Sequence, residues 1–110
     1  MTVSEYYALG PADYGPIVSF EFQQIIGDDG LVKRRAVLLL SRRPDLSLER
    51  LRLTFHDVIN VVFRPEDWSL TSLGLVEIQE REMGLIVTEE QGQLKLTCRA
   101  FEASIEGDHR

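Results

Sequence analysis

The stretch IVSFEFQQIIGDDGLVKRRAVLLLS, Ile17–Ser41, decides the fold. Its apolar residues recur at every second position, the period of a half-buried strand and not of a helix. In its middle stands GDDG, Gly27–Gly30, and glycine and aspartate tolerate the positive φ of tight hairpin turns. The stretch therefore predicts a hairpin. Closed at Ile26 and Leu31, it sets Val18 opposite Leu39 and Phe20 opposite Val37, with these apolar residues on one face. Leu38 and Leu40 fall on the other face, which predicts a central strand covered on both sides at its far end.

The same period continues outward. LERLRLTFH (Leu48–His56) alternates at Leu51, Leu53 and Phe55, and INVVFR (Ile59–Arg64) and LTSLGLVEIQE (Leu70–Glu80) follow. Gly74 inside the latter predicts a bulge or a close backbone approach. REMGLIVTEE and QLKLTCRAFEASI flank a second turn. Closed at Thr88 and Gln93, that hairpin pairs Val87 with Leu94, Leu85 with Leu96, and Met83 with Cys98. Near the N-terminus TVSEYYALG can form one helical turn before Pro11 and Pro16 stop it. The pattern predicts an all-β fold: an antiparallel β-sandwich or jelly-roll-like flattened barrel of about seven strands. Residues 1–16 form an arm, 17–105 a single sandwich domain and 106–110 a frayed tail. The core includes Val18, Phe20, Val37, Leu39, Leu51, Leu53, Phe55, Val61, Leu75, Leu85, Val87, Leu94 and Leu96.

Composition narrows the function classes. The 110 residues carry a net charge of −6, which argues against non-specific nucleic-acid binding. The opening MTVSEYYALGPADYGP lacks the basic and apolar regions of a signal peptide. The longest purely aliphatic run, AVLLL, is too short to span a bilayer. With the single cysteine, Cys98, no intrachain disulfide forms, which favours a reducing cytoplasm. Charge is unevenly spread. Residues 1–30 hold five acids and no Lys or Arg, residues 31–64 eight bases against three acids, and residues 65–110 ten acids against four bases. Arginine outnumbers lysine ten to two, and its planar fork suits pairing with carboxylates across an interface. Arg34, Arg35, Arg42 and Arg43 either meet acids on another chain or pair with acids of their own.

LTFHDVINVVFRPEDW, Leu53–Trp68, looks most like chemistry. Adjacent strand residues point to opposite faces, so His56 and Asp57 cannot pair in regular strand. Burying Asp57 on an apolar face is expensive, which predicts a turn or bulge at Asp57-Val58. Trp68 either plugs an open end of the sandwich or anchors a partner. Tyr6, Tyr7 and Tyr14 either strap the sheet or face a partner. Metal-ligand spacings are absent, as are nucleotide-binding loops and a G-x-S-x-G elbow, and no cofactor is implied. Cys98 alternates with core residues and reads as a small hydrophobe. The carboxylate pairs Glu66/Asp67, Glu80/Glu82 and Glu89/Glu90 read as solvated loop acids.

The segment from about Leu51 to Phe101 resembles a loose group of small bacterial β-proteins. Its rhythm runs LRLTFHDVINVVF, SLGLVEIQEREMGLIVTEE and LKLTCRAFEA. Some small acidic proteins of this kind are immunity proteins, which bind and neutralise a toxin. The resemblance implies binding and brings no catalytic residues with it. Two expectations follow. One is a non-catalytic protein-binding module with a protein partner or a second copy of itself, using Tyr14, Arg34, Arg35, Arg42, Arg43, His56 or Trp68, and neither nucleic acid nor membrane. The other is a small enzyme or ligand-binding sandwich in which His56 works with a carboxylate from another strand.

Overall fold

Tyr14–Ile26 (β1) and Val32–Arg42 (β2) form the expected hairpin in a computed structural model that describes residues 1–42, 49–64 and 72–107. The register differs by one residue. Ile26 pairs with Val32, not Leu31. The loop is lengthened because Gly27 N–H donates to Leu31 O at 2.9 Å and Leu31 N–H donates to Asp29 Oδ1 at 3.0 Å. A one-residue slip exchanges the two faces of a strand. Phe20 therefore lies beside Leu38 and Phe22 beside Ala36, and Ala36, Leu38 and Leu40 supply the core. Leu39 is only partly buried, whereas Val37, on the face opposite Leu38, is still buried at 9% exposed. Val18 falls at the register break between Ile17 and Ser19 near the start of β1 and is 47% exposed.

Six more strands follow: Arg50–His56 (β3), Ile59–Phe63 (β4), Val76–Arg81 (β5), Gly84–Glu89 (β6), Leu94–Cys98 (β7) and Ala100–Glu106 (β8). They complete two antiparallel four-stranded sheets, ordered β1-β2-β3-β8 and β4-β7-β6-β5. This is an all-β sandwich. The strands exceed the expected seven because the chain breaks at Arg99, so Gln93–Ile105 contributes to both sheets. It also breaks at Asp57-Val58, where β3 leaves the first sheet and β4 joins the second. The two crossings lie side by side: Arg99 N–H donates to His56 O at 3.0 Å, and Val58 N–H to Arg34 O at 3.1 Å.

Between the sheets lie Leu51, Leu53, Phe55, Val58, Leu73, Val76, Ile78, Val87, Leu94 and Leu96, all buried. The second hairpin differs from expectation by two residues, pairing Val87 with Leu96 and Leu85 with Cys98. A two-residue slip preserves the faces, so its core residues stay inward. Met83 does not reach Cys98. It sits at the β5–β6 turn, 93% exposed. Gly84 closes that turn at φ 141°, and a Cβ there would lie 2.6 Å from Cys98 O. Leu75 is only partly buried; Leu73, Val76 and Ile78 take the inward places.

The arm is more ordered than a single turn. Val3–Ala8 (α1) begins with a capping box in which the Thr2 and Glu5 side chains each accept from the other's backbone N–H. That reciprocal cap satisfies two donors a short helix would otherwise leave open. Among the described residues, no helix is long and apolar enough to cross a membrane. Arg43, Trp68 and the turns expected around Pro44 and Pro65 lie outside the described residues.

Candidate binding surface

The β1–β2 hairpin is longer than the strand beside it. β3 pairs only with Arg35–Ser41 of β2, so the hairpin's far end overhangs the sheet. Its apolar residues are accordingly open: Phe22 is 44% exposed, Ile26 74%, Leu31 62% and Val32 52%. Beneath the overhang lies a groove of about 420 Å3 lined by Phe22, Arg34, Val58, Ile59, Asn60 and Val61. Its floor is the β3–β4 corner. The corner is tight because Asp57 and Asn60 adopt φ of 55° and 59°, a left-handed conformation that Asp and Asn accept more readily than other side chains. The spacing of these two residues in HDVIN was the available signal for the groove.

Arg34 stands in this groove exposed and, among the described residues, without an ion-pair partner. The other candidates are held by their own chain. The Arg35 guanidinium donates to Gln23 Oε1 on the adjacent strand at 2.5 and 3.1 Å. Arg42 lies 3.7 Å from Glu49, and Tyr14 donates its hydroxyl proton to the same carboxylate. Tyr14 is itself buried. Tyr6 and Tyr7 also strap the sandwich. Tyr6 OH donates to Val76 O at 2.6 Å, and Tyr7 OH accepts from Ile78 N–H at 3.1 Å. Both contacts lie along β5, one of the two outer strands of the second sheet.

His56 points to the outer face of the first sheet, away from the groove. Its Nε2 is 3.8 Å from Glu102 on β8, beyond hydrogen-bond length, with side chains 37% and 76% exposed. An acid from another strand is thus near, but on an open surface that excludes no water. A general base needs its partner within hydrogen-bond reach and a pocket around it. His56→Ala is expected to leave the fold intact and shift stability by less than about 0.5 kcal/mol, as for exposed residues generally. A larger loss in urea unfolding would show a structural role that this geometry lacks.

Glu89 is the residue sequence reasoning misplaced. It is 4% exposed, not a solvated loop acid. Its carboxylate accepts from Gly74 N–H at 2.6 Å, Gln91 N–H at 2.8 Å and Gln93 N–H at 2.9 Å. Gly74 permits this close approach: a Cβ there would meet Glu90 Cβ at 2.9 Å and Glu89 Oε2 at 3.2 Å. Among the described residues, no cluster of His, Cys, Asp and Glu could hold a metal.

Burial raises the pKa of several groups and so weakens them as acids. Burial, with the hydrogen bond to Glu49 second, pushes Tyr14 up to about 12. Burial raises Tyr6 as well and lifts the Cys98 thiol to about 11. For each group the folded value lies above the unfolded one. Its contribution is therefore complete below the unfolded value and is lost as pH rises through the folded value. Stability should hold to about pH 9 and fall between there and pH 12, with Tyr14→Phe flattening part of the decline. Urea midpoints that do not move over this window would contradict the assignment.

Comparison with protein-family models, characterised proteins and solved structures finds no match.

Proposed function

We propose that this domain is a non-catalytic protein-binding module that receives its partner in the groove under the β1–β2 overhang. The observation that carries this reading is Arg34, a guanidinium with no ion-pair partner among the described residues, set in the groove between the open apolar surfaces of Phe22 and Ile59. Contiguous exposed apolar surface rimmed by charge is characteristic of interaction sites, and arginine is enriched where a few residues dominate binding. The partner it suits is an apolar segment carrying a carboxylate. Neutralisation of a bacterial toxin, as immunity proteins do, is the particular form that the sequence resemblance implies. A cytoplasmic setting, with Cys98 kept as a buried free thiol, accords with this reading.

The test is site-specific photo-crosslinking in the native lysate. A crosslinker at Val32 or Ile59 is expected to give an adduct with another protein, and Arg34→Glu should abolish it. A crosslinker at Thr88, on β6 and outside the residues that line the groove, is the control. Groove adducts no stronger than those at Thr88, or adducts indifferent to Arg34→Glu, would overturn the reading. Recovery of a toxin as the partner would establish the immunity form.

A further inference from the structure

Each sheet of a sandwich ends in two outer strands whose unpaired N–H and C=O groups invite another strand, and natural proteins block them. Three of the four outer strands here are blocked. Along β5 the tyrosines of α1 take the outward groups of Val76 and Ile78. The short β4 is interrupted by Asn60 at positive φ and by a register break between Ile59 and Val62. β8 carries Glu102 and Glu106 in seven residues. β1 is different. From Ser19 to Ile26 it runs SFEFQQII in unbroken register. This stretch has no proline, lysine or bulge, and its one charge is Glu21. Its start is covered, since Leu73 N–H donates to Gly15 O at 2.8 Å and Pro16 bridges Ser72. Beyond Ser19, none of the described residues pairs with its outer side.

We infer that β1 pairs antiparallel with β1 of a second copy of this chain, about a two-fold axis through Phe22, joining two four-stranded sheets into one of eight. The register is self-complementary. Gly27 N–H points toward β2, so by the alternation of an antiparallel ladder the backbone groups of Phe20, Phe22 and Gln24 point outward. Centred on Phe22, these groups meet their equivalents. Phe22 then faces Phe22, Glu21 faces Gln23, and Ser19 faces Ile25, so no like charges oppose. Ile25, 44% exposed, gains cover. A two-fold axis normal to the sheet keeps both inner faces on one side. The dimer would thus present two Arg34 grooves together. Only that last consequence rests on the binding function proposed above; the pairing stands on the strand itself.

Sedimentation velocity of the full chain over a concentration series tests the pairing. A reversible dimer is expected. Gln24→Pro should abolish it, because it removes an outward N–H and leaves the β1–β2 ladder complete. Gln23→Glu keeps an acceptor oxygen for Arg35 within the chain but sets a like charge against Glu21 of the second copy. It should weaken the dimer about tenfold or more. Circular dichroism confirms that each variant remains folded. A wild-type chain that stays monomeric at every concentration, or a dimer unchanged in both folded variants, overturns the inference. Groove crosslinking to another protein is read separately, so either proposal can fail without the other.

Discussion

Tyr6→Ala should destabilise the domain by about 3–5 kcal/mol, the range for removing a fully buried aromatic side chain. Tyr6 has no exposed surface. Its ring meets Phe101 edge-on at 5.8 Å and Tyr7 at 5.0 Å, so truncation opens a cavity where α1 meets the sandwich. It also leaves Val76 O without its hydroxyl partner. Tyr6→Phe isolates that second loss and should cost about 1–2 kcal/mol. Chemical denaturation of both variants separates packing from hydrogen bonding. A Tyr6→Ala loss below about 1 kcal/mol would mean that the arm does not hold β5.

Glu89→Leu should cost about 2–4 kcal/mol. The leucine fills similar space but strands the N–H groups of Gly74, Gln91 and Gln93, which now converge on one carboxylate. Hydrogen bonds to a charged acceptor contribute about 1.5–3 kcal/mol each, and partial access of water to an exposed turn returns some of that. Glu89→Gln keeps one acceptor and turns an amide N–H2 toward the remaining donors, so it should fall between leucine and wild type. Equal midpoints for the three proteins would show that the turn satisfies its donors without the carboxylate.

The β-sandwich was legible because period-two patterning reports how a strand is buried, whatever its partner. Register was less legible, and the two hairpins show why. In the first, Asp29 and Gly27 extend the loop by one residue and reverse the faces. In the second, a two-residue change spares every face but releases Met83. The corner at Asp57 could be foreseen because a buried, unpartnered carboxylate is costly. Glu89 could not, since its donors are backbone N–H groups from the remote residue 74 and from its own turn. The groove needed the overhang, and an overhang depends on strand lengths in three-dimensional alignment. Arg34 and Arg35 are adjacent in sequence, yet strand alternation gives one a glutamine and the other an open groove.

The paired crossings at His56–Ile59 and Cys98–Ala100 also constrain the order of assembly. The second sheet is one uninterrupted run of chain from Ile59 to Cys98, inserted between two neighbours of the first sheet, β3 and β8. Pairing β3 with β8 in an unstructured chain would mean closing a loop of roughly forty residues, at an entropic cost that grows with loop length. Once β4–β7 have folded, the two ends of that loop already lie together, with Arg99 N–H on His56 O. Pulse-labelled hydrogen exchange during refolding should therefore find amides of β6 and β7 protected before those joining β3 to β8. The inserted sheet would then act as the nucleus that lets the outer one close.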